Sequence, residues 1–165
     1  MNARLLTVVF GLFLLLGFVA CGDDENVSEA PASAANKEAR SEVISIIDAL
    51  GQSLEFSGVP ERIVTISPTA TEMLYLVGGE AVGRDRASNF PKEATSLPDV
   101  GSGYDPSIET LMSMRPDLVI VEALTQARFV PMLGQMGLTV MAVKVESVED
   151  VIANITMIGK VVGNE

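Results

Sequence analysis

The amino-acid sequence predicts an α/β domain in which helices flank a mainly parallel sheet. Short apolar runs such as Ile63–Ile66 and Leu118–Val121 have no polar face, which is typical of strands that are covered on both sides. Segments with helical spacing follow such runs, and glycines such as Gly137 and Gly163 stand where these segments end. Because parallel strands need crossover connections, this alternation favours a parallel sheet over a series of hairpins.

The predicted domain begins with a hairpin and a strand–helix pair. Val43–Gly58 alternates weakly in polarity around a central glycine, which predicts an edge hairpin. The strand Ile63–Ile66 then leads to Thr69–Glu72, whose sequence TATE fits a capping box at the start of a short helix. Gly78–Gly79 predicts the end of that helix, and a further strand is expected near Ala81–Arg84.

A capped helix and a buried strand come next. Asp105 is expected to be the N-cap of this helix and Pro106 its first residue, because a carboxylate can accept a free backbone N–H and proline has no N–H to lose. Pro116 disfavours helical backbone at the residue before it, so the helix should end there. The apolar run Leu118–Val121 then predicts the third core strand.

The last elements repeat the same order. Helical spacing from about Ala127 to Gly137 predicts another helix, and Leu138–Val143 predicts the fourth core strand. Ser147 and Asp150 fit a capping box that opens the final helix, in which apolar residues keep helical spacing. The chain is thus expected to end in a strand–helix unit of the same kind as the first.

The N-terminal segment predicts export and membrane attachment. Leu5–Ala20 is an uncharged apolar run, shorter than the ~20 residues that a spanning helix needs, so residues 1–20 fit a cleaved signal peptide. This segment resembles a bacterial lipoprotein signal, in which Cys21 would be lipidated; the alternative is a buried or unpaired cysteine. Residues 21–41 are acidic and rich in Ala and Ser, which is typical of a disordered tether.

Composition excludes several classes of function. The net charge of −11 leaves no basic stripe for phosphates, so nucleic acid is not an expected partner. The sequence has no histidine, which excludes a Ser-His-Asp triad and a His-rich metal site. Gly101 and Gly103 form only a G-x-G that does not directly follow a strand, and no Walker loop is present. We therefore predict no catalytic residue, no metal site and no cofactor.

The ends of the predicted strands indicate where a ligand would bind, because ligands of open α/β sheets lie beyond the carboxyl ends of the strands. In this sequence those ends are Ser67–Thr69, Asp85–Asn89 and Glu122–Thr125, and the loop Gly101–Tyr104 should lie nearby. The long connection Asp85–Tyr104 has no periodicity, and loops of that length in a small domain are usually functional.

Four segments occur in an order that is found in one family of binding proteins. They are RIVTISPTATEMLYLVGG, VGRDRASNFPKEATSLPDVG, DPSIETLMSMRPDLVIV and SVEDVIANITMIGKVVG. Together they resemble class III substrate-binding proteins of bacterial ABC importers, which take up iron-siderophores, haem and cobalamin. The resemblance implies two α/β lobes joined by a long helix. Residues 42–165 would be the N-terminal lobe, and the second lobe is expected to be absent from this chain.

The resemblance also implies roles for individual residues. Glu109 matches the carboxylate that pairs with arginines of the permease. Ala87, Gly103 and Glu122 fall where cobalamin binders tend to have aromatic residues, whereas VGRDRASNFP is more similar to haem-binding members, in which a tyrosine ligates iron. Tyr104 is the nearby aromatic residue with a polar group. The expected ligand-binding residues are Ser67, Pro68, Thr69, Asp85, Arg86, Ala87, Gly103, Tyr104 and Glu122.

Two functions from different classes follow from these observations. The first is a lipid-anchored, extracytoplasmic substrate-binding protein that delivers an iron chelate, haem or cobalamin to an ABC permease and its ATPase, and that performs no chemistry. The second is an α/β sensor or enzyme domain. In that case the helix start at Ser67–Thr69 would bind an anionic small molecule through its N–H groups and the positive end of its dipole.

Cys21→Ser should release the protein from the membrane, because the lipidated cysteine is the expected attachment. Firm attachment needs more than one acyl chain, as in a mature lipoprotein, and the variant would carry none. Cell fractionation measures the released share against the parent chain. A variant that stays as firmly bound as the parent after signal cleavage would show that lipidation is not the attachment.

Overall fold

The computed structural model describes residues 43–164, so the predicted signal peptide, the tether and Cys21 lie outside the described residues. Among the described residues, no helix has the length and apolar character needed to cross a membrane. The strands are β1 (Ile44–Ile47), β2 (Ser53–Phe56), β3 (Ile63–Thr65), β4 (Gly83–Arg84), β5 (Gly101–Ser102), β6 (Asp105–Pro106), β7 (Leu118–Glu122) and β8 (Val140–Val143). The helices are α1 (Pro68–Leu76), α2 (Ile108–Ser113), α3 (Ala123–Gln126), α4 (Phe129–Gln135) and α5 (Val148–Val161), with a 3₁₀ helix at Lys92–Ser96.

The central sheet has four strands in the order β4-β3-β7-β8, and all neighbouring pairs are parallel. Strand β3 is the first of these four strands in the chain but lies inside the sheet. The chain continues from β3 to β4 on one side of it and then crosses to β7 on the other side. In such sheets the strand order reverses between β3 and β7, and a crevice opens beyond their carboxyl ends. The predicted α/β fold with a mainly parallel sheet and flanking helices is confirmed.

The residues of β7 pack alternately into two apolar layers, one on each face of the sheet. Leu118 and Ile120 lie in the layer that α1 and α5 cover. Val119 and Val121 lie in the layer that α2 and α4 cover. All five residues of the strand are buried, and for Leu118–Val121 the unbroken apolar sequence predicts this. Each such side chain contributes about 1.5–3 kcal/mol when it is fully buried, so these layers supply most of the favourable energy of the fold.

Asp48 attaches the β1–β2 hairpin to the outer edge of the sheet. Its buried carboxylate accepts hydrogen bonds from the backbone N–H groups of Leu50 at 2.9 Å, Gln52 at 2.8 Å and Ala142 at 3.0 Å. The side-chain amide of Gln52 donates a further bond to it at 2.7 Å. The N–H of Ala49 also donates to the carbonyl of Ala142 at 3.1 Å. One carboxylate thus shapes the turn and fixes it to β8.

Helix α1 begins earlier than the sequence analysis predicts. Ser67 is its N-cap, since the hydroxyl accepts the N–H of Ala70 at 3.0 Å, and Pro68 is its first residue. The capping box predicted for Thr69–Glu72 is therefore wrong. The reason is that proline has a fixed φ suited to the first helical position, which makes the hydroxyl directly before it the better cap.

The start of α2 also differs from the prediction. The expected N-cap Asp105 and first residue Pro106 form β6, which pairs antiparallel with Gly101–Ser102. Ser107 caps the helix instead, accepting the N–H of Thr110 at 3.3 Å. Gly101 has a φ of +99°, a conformation open to glycine, and this lets the chain fold back before the helix begins.

The remaining strands and helices are mostly shorter than predicted. The strand expected near Ala81–Arg84 is limited to β4, and the strand expected at Leu138–Val143 is limited to β8. The helix predicted from about Ala127 to Gly137 is confirmed as α4, which begins two residues later, whereas the short helix α3 directly after β7 was not predicted. The capping box of Ser147 and Asp150 at the start of α5 is confirmed.

Asp48→Ala should lower the free energy of unfolding by about 2–4 kcal/mol, because it leaves the buried N–H of Ala142 and the turn amides without their acceptor. Urea unfolding followed by circular dichroism measures this change. Glu55→Ala is the control, since Glu55 is exposed on β2 and should shift the free energy by less than about 0.5 kcal/mol. Equal effects of the two substitutions would contradict the role assigned to Asp48.

Candidate functional site

A cleft of about 420 Å³ lies at the carboxyl ends of β3 and β7, within the range of roughly 300–1,000 Å³ that is typical of small-molecule sites. The expected ligand-binding residues all line it, with the exception of Arg86. Its lining residues are Ser67, Pro68, Thr69, Asp85, Ala87, Ser102, Gly103, Tyr104, Glu122, Leu124, Thr125, Gln126 and Val145. The cleft thus occupies the crevice that the strand order predicts.

Glu122 ends β7 and caps the helix that follows it. One carboxylate oxygen accepts the N–H of Leu124 at 2.9 Å. The other accepts the N–H of Thr125 at 3.1 Å and its hydroxyl at 2.9 Å. The side chain is almost completely buried, and these donors stabilise its negative charge at the wall of the cleft. Glu122 therefore forms part of the wall and also fixes the direction of α3.

Gln126 joins the ends of the two central strands beneath the cleft. Its side-chain amide donates to the carbonyl of Ile66 at 2.5 Å, just after β3, and accepts the N–H of Glu122 at 2.8 Å. The side chain is buried, so its amide satisfies two backbone groups that the sheet leaves unpaired. The sequence analysis missed this residue. A glutamine four positions after the strand end was the local signal, but its partner lies 60 residues away.

Gly103 covers Gln126 at close range. A Cβ atom at this position would lie 2.5 Å from the side-chain nitrogen of Gln126 and 2.7 Å from the carbonyl oxygen of Ile66. Only glycine lets the hairpin of β5 and β6 approach the strand ends so closely. The hairpin thereby brings Tyr104 to the rim of the cleft.

A chain of buried hydroxyl groups holds the loop that follows β4. The hydroxyl of Thr71 lies 2.7 Å from that of Thr65 and 2.7 Å from that of Ser88. The Ser88 hydroxyl donates to the carboxylate of Asp85, which also accepts the N–H of Ala87 at 3.1 Å. Within the described residues, no buried side-chain polar atom lacks a partner. These hydrogen bonds therefore fix the backbone conformation of the loop where it lines the cleft.

Arg86 points away from the cleft and is bound to Asp99. Its Nε lies 3.1 Å from the carboxylate of Asp99, and most of the Arg86 side chain is exposed. The backbone N–H of Gly101, which donates to this carboxylate, holds the pKa of Asp99 below its usual value, and Arg86 lowers it further. The structure therefore separates Arg86 from the other expected ligand-binding residues.

Tyr104 is the exposed aromatic residue at the rim, with 68% of its surface accessible. Its carbonyl accepts a hydrogen bond from the guanidinium of Arg128 at 2.5 Å. That guanidinium also lies over the ring of Phe129, at 4.8 Å from the ring centroid. The backbone of Tyr104 is thus tied to the start of α4, while its ring remains free to contact a ligand.

The cleft offers groups that hold a ligand by shape, apolar contact and hydrogen bonding. Asp85 and Glu122 both accept hydrogen bonds from neighbouring donors, which fixes the orientation of each carboxylate. Within residues 43–164, no group of three or more His, Cys, Asp or Glu side chains could hold a metal ion. A larger apolar groove of about 670 Å³ is lined by residues of α1, of α5 and of the loop at Phe90–Glu93, and it shares Thr69 with the cleft.

A comparison with known families identifies the chain. The sequence profile described as periplasmic binding protein matches residues 63–165, which include the whole cleft. The chain belongs to this family, in its class III of ABC importers. The family expectation drawn from the four sequence segments is confirmed.

Similar proteins include YvrC, an uncharacterized ABC transporter substrate-binding lipoprotein of Bacillus subtilis. It is 28% identical over 158 residues, which are 92% of this chain and 50% of YvrC. The periplasmic vitamin B12 binding protein BtuF of Vibrio cholerae superposes with a TM-score of 0.60 and 27% identity, covering 64% of this chain and 42% of BtuF. The iron uptake ABC transporter substrate-binding protein PiuA of Streptococcus pneumoniae gives a TM-score of 0.61 and 25% identity, covering 73% and 44%.

The chain spans half the length of YvrC and less than half of BtuF and PiuA. These structural neighbours are two-lobed, and the chain corresponds to part of one lobe.

Gly103→Ala should lower the free energy of unfolding by about 1–3 kcal/mol, because the new methyl group meets a backbone oxygen that cannot move aside. Thermal unfolding measures the change. Gly134→Ala is the matched control: it lies in α4 with no atom within 4 Å of a Cβ and should be neutral or stabilising by up to about 1 kcal/mol. Unchanged stability of Gly103→Ala would mean that the hairpin does not need this close contact.

Proposed function

We propose that this chain is the ligand-capturing lobe of an extracytoplasmic substrate-binding protein, which takes up an iron chelate, haem or cobalamin and delivers it to an ABC permease and its ATPase. The proposal rests on the cleft at the carboxyl ends of β3 and β7, where the strand order reverses, in a chain that belongs to the periplasmic binding protein family. BtuF binds vitamin B12 and PiuA serves iron uptake, which supports ligands of this size and kind.

The proposed role requires no chemistry from the chain. The acidic groups of the cleft are held by intramolecular donors, as a rigid wall requires. The alternative function, an α/β sensor or enzyme that binds an anion at Ser67–Thr69, is less well supported. The Ser67 hydroxyl already occupies the N–H of Ala70, and Pro68 has none to offer.

A second surface is proposed for the permease. Glu109 lies in the first turn of α2, is exposed, and does not line the cleft. Tyr104 lies in the turn between β5 and β6, and β6 separates it from this helix in the chain. A carboxylate in such a position can form a charge-assisted, bidentate bond with an arginine of the partner, which fixes the register of docking.

Membrane attachment completes the proposal. Cys21 would carry the lipid anchor, and residues 21–41 would tether the lobe to the extracytoplasmic face of the membrane. The name of YvrC, a substrate-binding lipoprotein, supports this part for a chain that aligns over 92% of its length. An anchored binding protein searches for its permease in two dimensions, so a flexible tether is suited to repeated docking.

Substitutions at Tyr104 and Glu109 should affect ligand binding and permease docking separately. Tyr104→Ala should weaken ligand binding by about tenfold, because an exposed aromatic anchor loses its contact area, and docking should be unaffected. Glu109→Ala should leave the ligand affinity unchanged, yet lower uptake more than about tenfold at limiting binding protein. Truncating one partner of a desolvated ion pair costs about 2–5 kcal/mol.

Both effects are measured with the full-length protein. Calorimetry gives the ligand affinity, and transport by the reconstituted permease gives the uptake rate. Glu149→Ala is the control for Glu109, since both are first-turn glutamates of exposed helix ends. The division of surfaces is contradicted if Glu109→Ala abolishes ligand binding or supports normal uptake.

A further inference from the structure

The wall of the cleft carries negative charge and no positive charge. Its lining includes the carboxylates of Asp85 and Glu122, and no lysine or arginine is among its lining residues. Both carboxylates are nine-tenths or more buried, so their field is screened less by salt than that of a surface charge. A ligand that contacts this wall therefore meets two fixed anions at short range.

Arginines of the neighbouring loop are bound to protein acceptors. The guanidinium of Arg84 donates to the carbonyls of Ala94 at 2.9 Å and Asp85 at 2.8 Å. Arg86 is paired with Asp99 at 3.1 Å and points away from the cleft. Both cations thus serve to hold the loop together.

Cations near the cleft in the sequence also have protein partners. Arg128 donates to the carbonyl of Tyr104 at 2.5 Å and stacks on Phe129. Lys144 forms an ion pair with Glu146. Neither side chain is among the lining residues of the cleft.

Helix N-termini commonly bind anions. At the two helix N-termini beside the cleft, protein groups already accept hydrogen bonds from some of the backbone N–H groups. Glu122 places its own carboxylate on the N–H groups of Leu124 and Thr125 at the start of α3. At the start of α1, Pro68 has no N–H and the N–H of Ala70 is bound to the Ser67 hydroxyl. Three of the N–H groups at these helix starts are thus satisfied within the protein.

The surfaces that remain open to a ligand are mostly apolar. The ring of Tyr104 is 68% exposed and the side chain of Leu124 is 55% exposed. Pro68 and the half-buried Val145 add further apolar lining. This wall is suited to an apolar or uncharged face of a ligand.

We infer that this lobe selects a ligand whose contacting face is neutral or positively charged, and that it disfavours polyanionic iron chelates such as tris-catecholates. The inference rests on the proposed function, because it names the charge class of the ligand for that same cleft. A negative group brought to within a few ångström of the buried carboxylates meets a repulsion that no lysine or arginine of this wall offsets.

The test compares three probes on the full-length protein by calorimetry. They are a cationic ferric trihydroxamate (ferrioxamine B), the neutral cyanocobalamin, and the trianionic ferric tris-catecholate of enterobactin. The cationic or the neutral probe should bind at least about tenfold more tightly than the trianion at low salt. Raising the ionic strength should weaken binding of the cation, leave the neutral probe unchanged and strengthen binding of the trianion.

Glu122→Gln should raise the affinity for the trianion severalfold, because it removes one fixed anion while it keeps an oxygen that caps α3. Glu55→Gln is the matched control: it removes the same charge from exposed strand β2, outside the cleft, and should change no affinity. If Glu122→Gln does not fold, Asp85→Asn removes the other fixed anion of the cleft and should raise the affinity for the trianion in the same way.

Two results would overturn the inference, and they are distinguishable. If the trianion binds most tightly and salt weakens its binding, the charge selection is wrong while the proposed function stands. If none of the three probes nor haem binds, the proposed function fails and the inference fails with it.

Discussion

Buried backbone groups at the ends of β3 and β7 must find hydrogen-bond partners, and the rest of the site depends on how they do so. Where the parallel ladder stops, the carbonyl of Ile66 and the N–H of Glu122 would otherwise be left unpaired in an apolar interior. The amide of Gln126 satisfies both. This fixes the spacing of the strand ends and forms the floor on which Gly103 rests.

The parts of the fold that rest on local signals could be predicted from the sequence. The apolar run of β7 and the capping box of Ser147 and Asp150 each act within a few residues, so their patterns were sufficient. The caps of α1 and α2 were misplaced because Thr69 and Asp105 offered equally plausible capping groups. Proline geometry decided the first case, and strand pairing by the hairpin decided the second.

The position of the cleft followed from a general rule about parallel sheets, but its internal contacts could not be read from sequence. Gln126 reaches Ile66 across 60 residues, and Asp48 reaches Ala142 across 94. Such pairs depend on where the whole chain places each element. Arg86 was wrongly expected in the cleft for the same reason. Its neighbours Asp85 and Ala87 line the cleft, whereas the side chain of Arg86 is paired with Asp99.

The attachment of the hairpin through Asp48 has a consequence for the behaviour of the chain at high concentration. Strand β8 is one of the two edge strands of the central sheet, and an open strand edge is a template for pairing with another molecule. Both outward backbone groups of Ala142 are already used by the hairpin, at 3.0 and 3.1 Å. The same contact that orders the turn thus also guards the sheet against edge-to-edge aggregation.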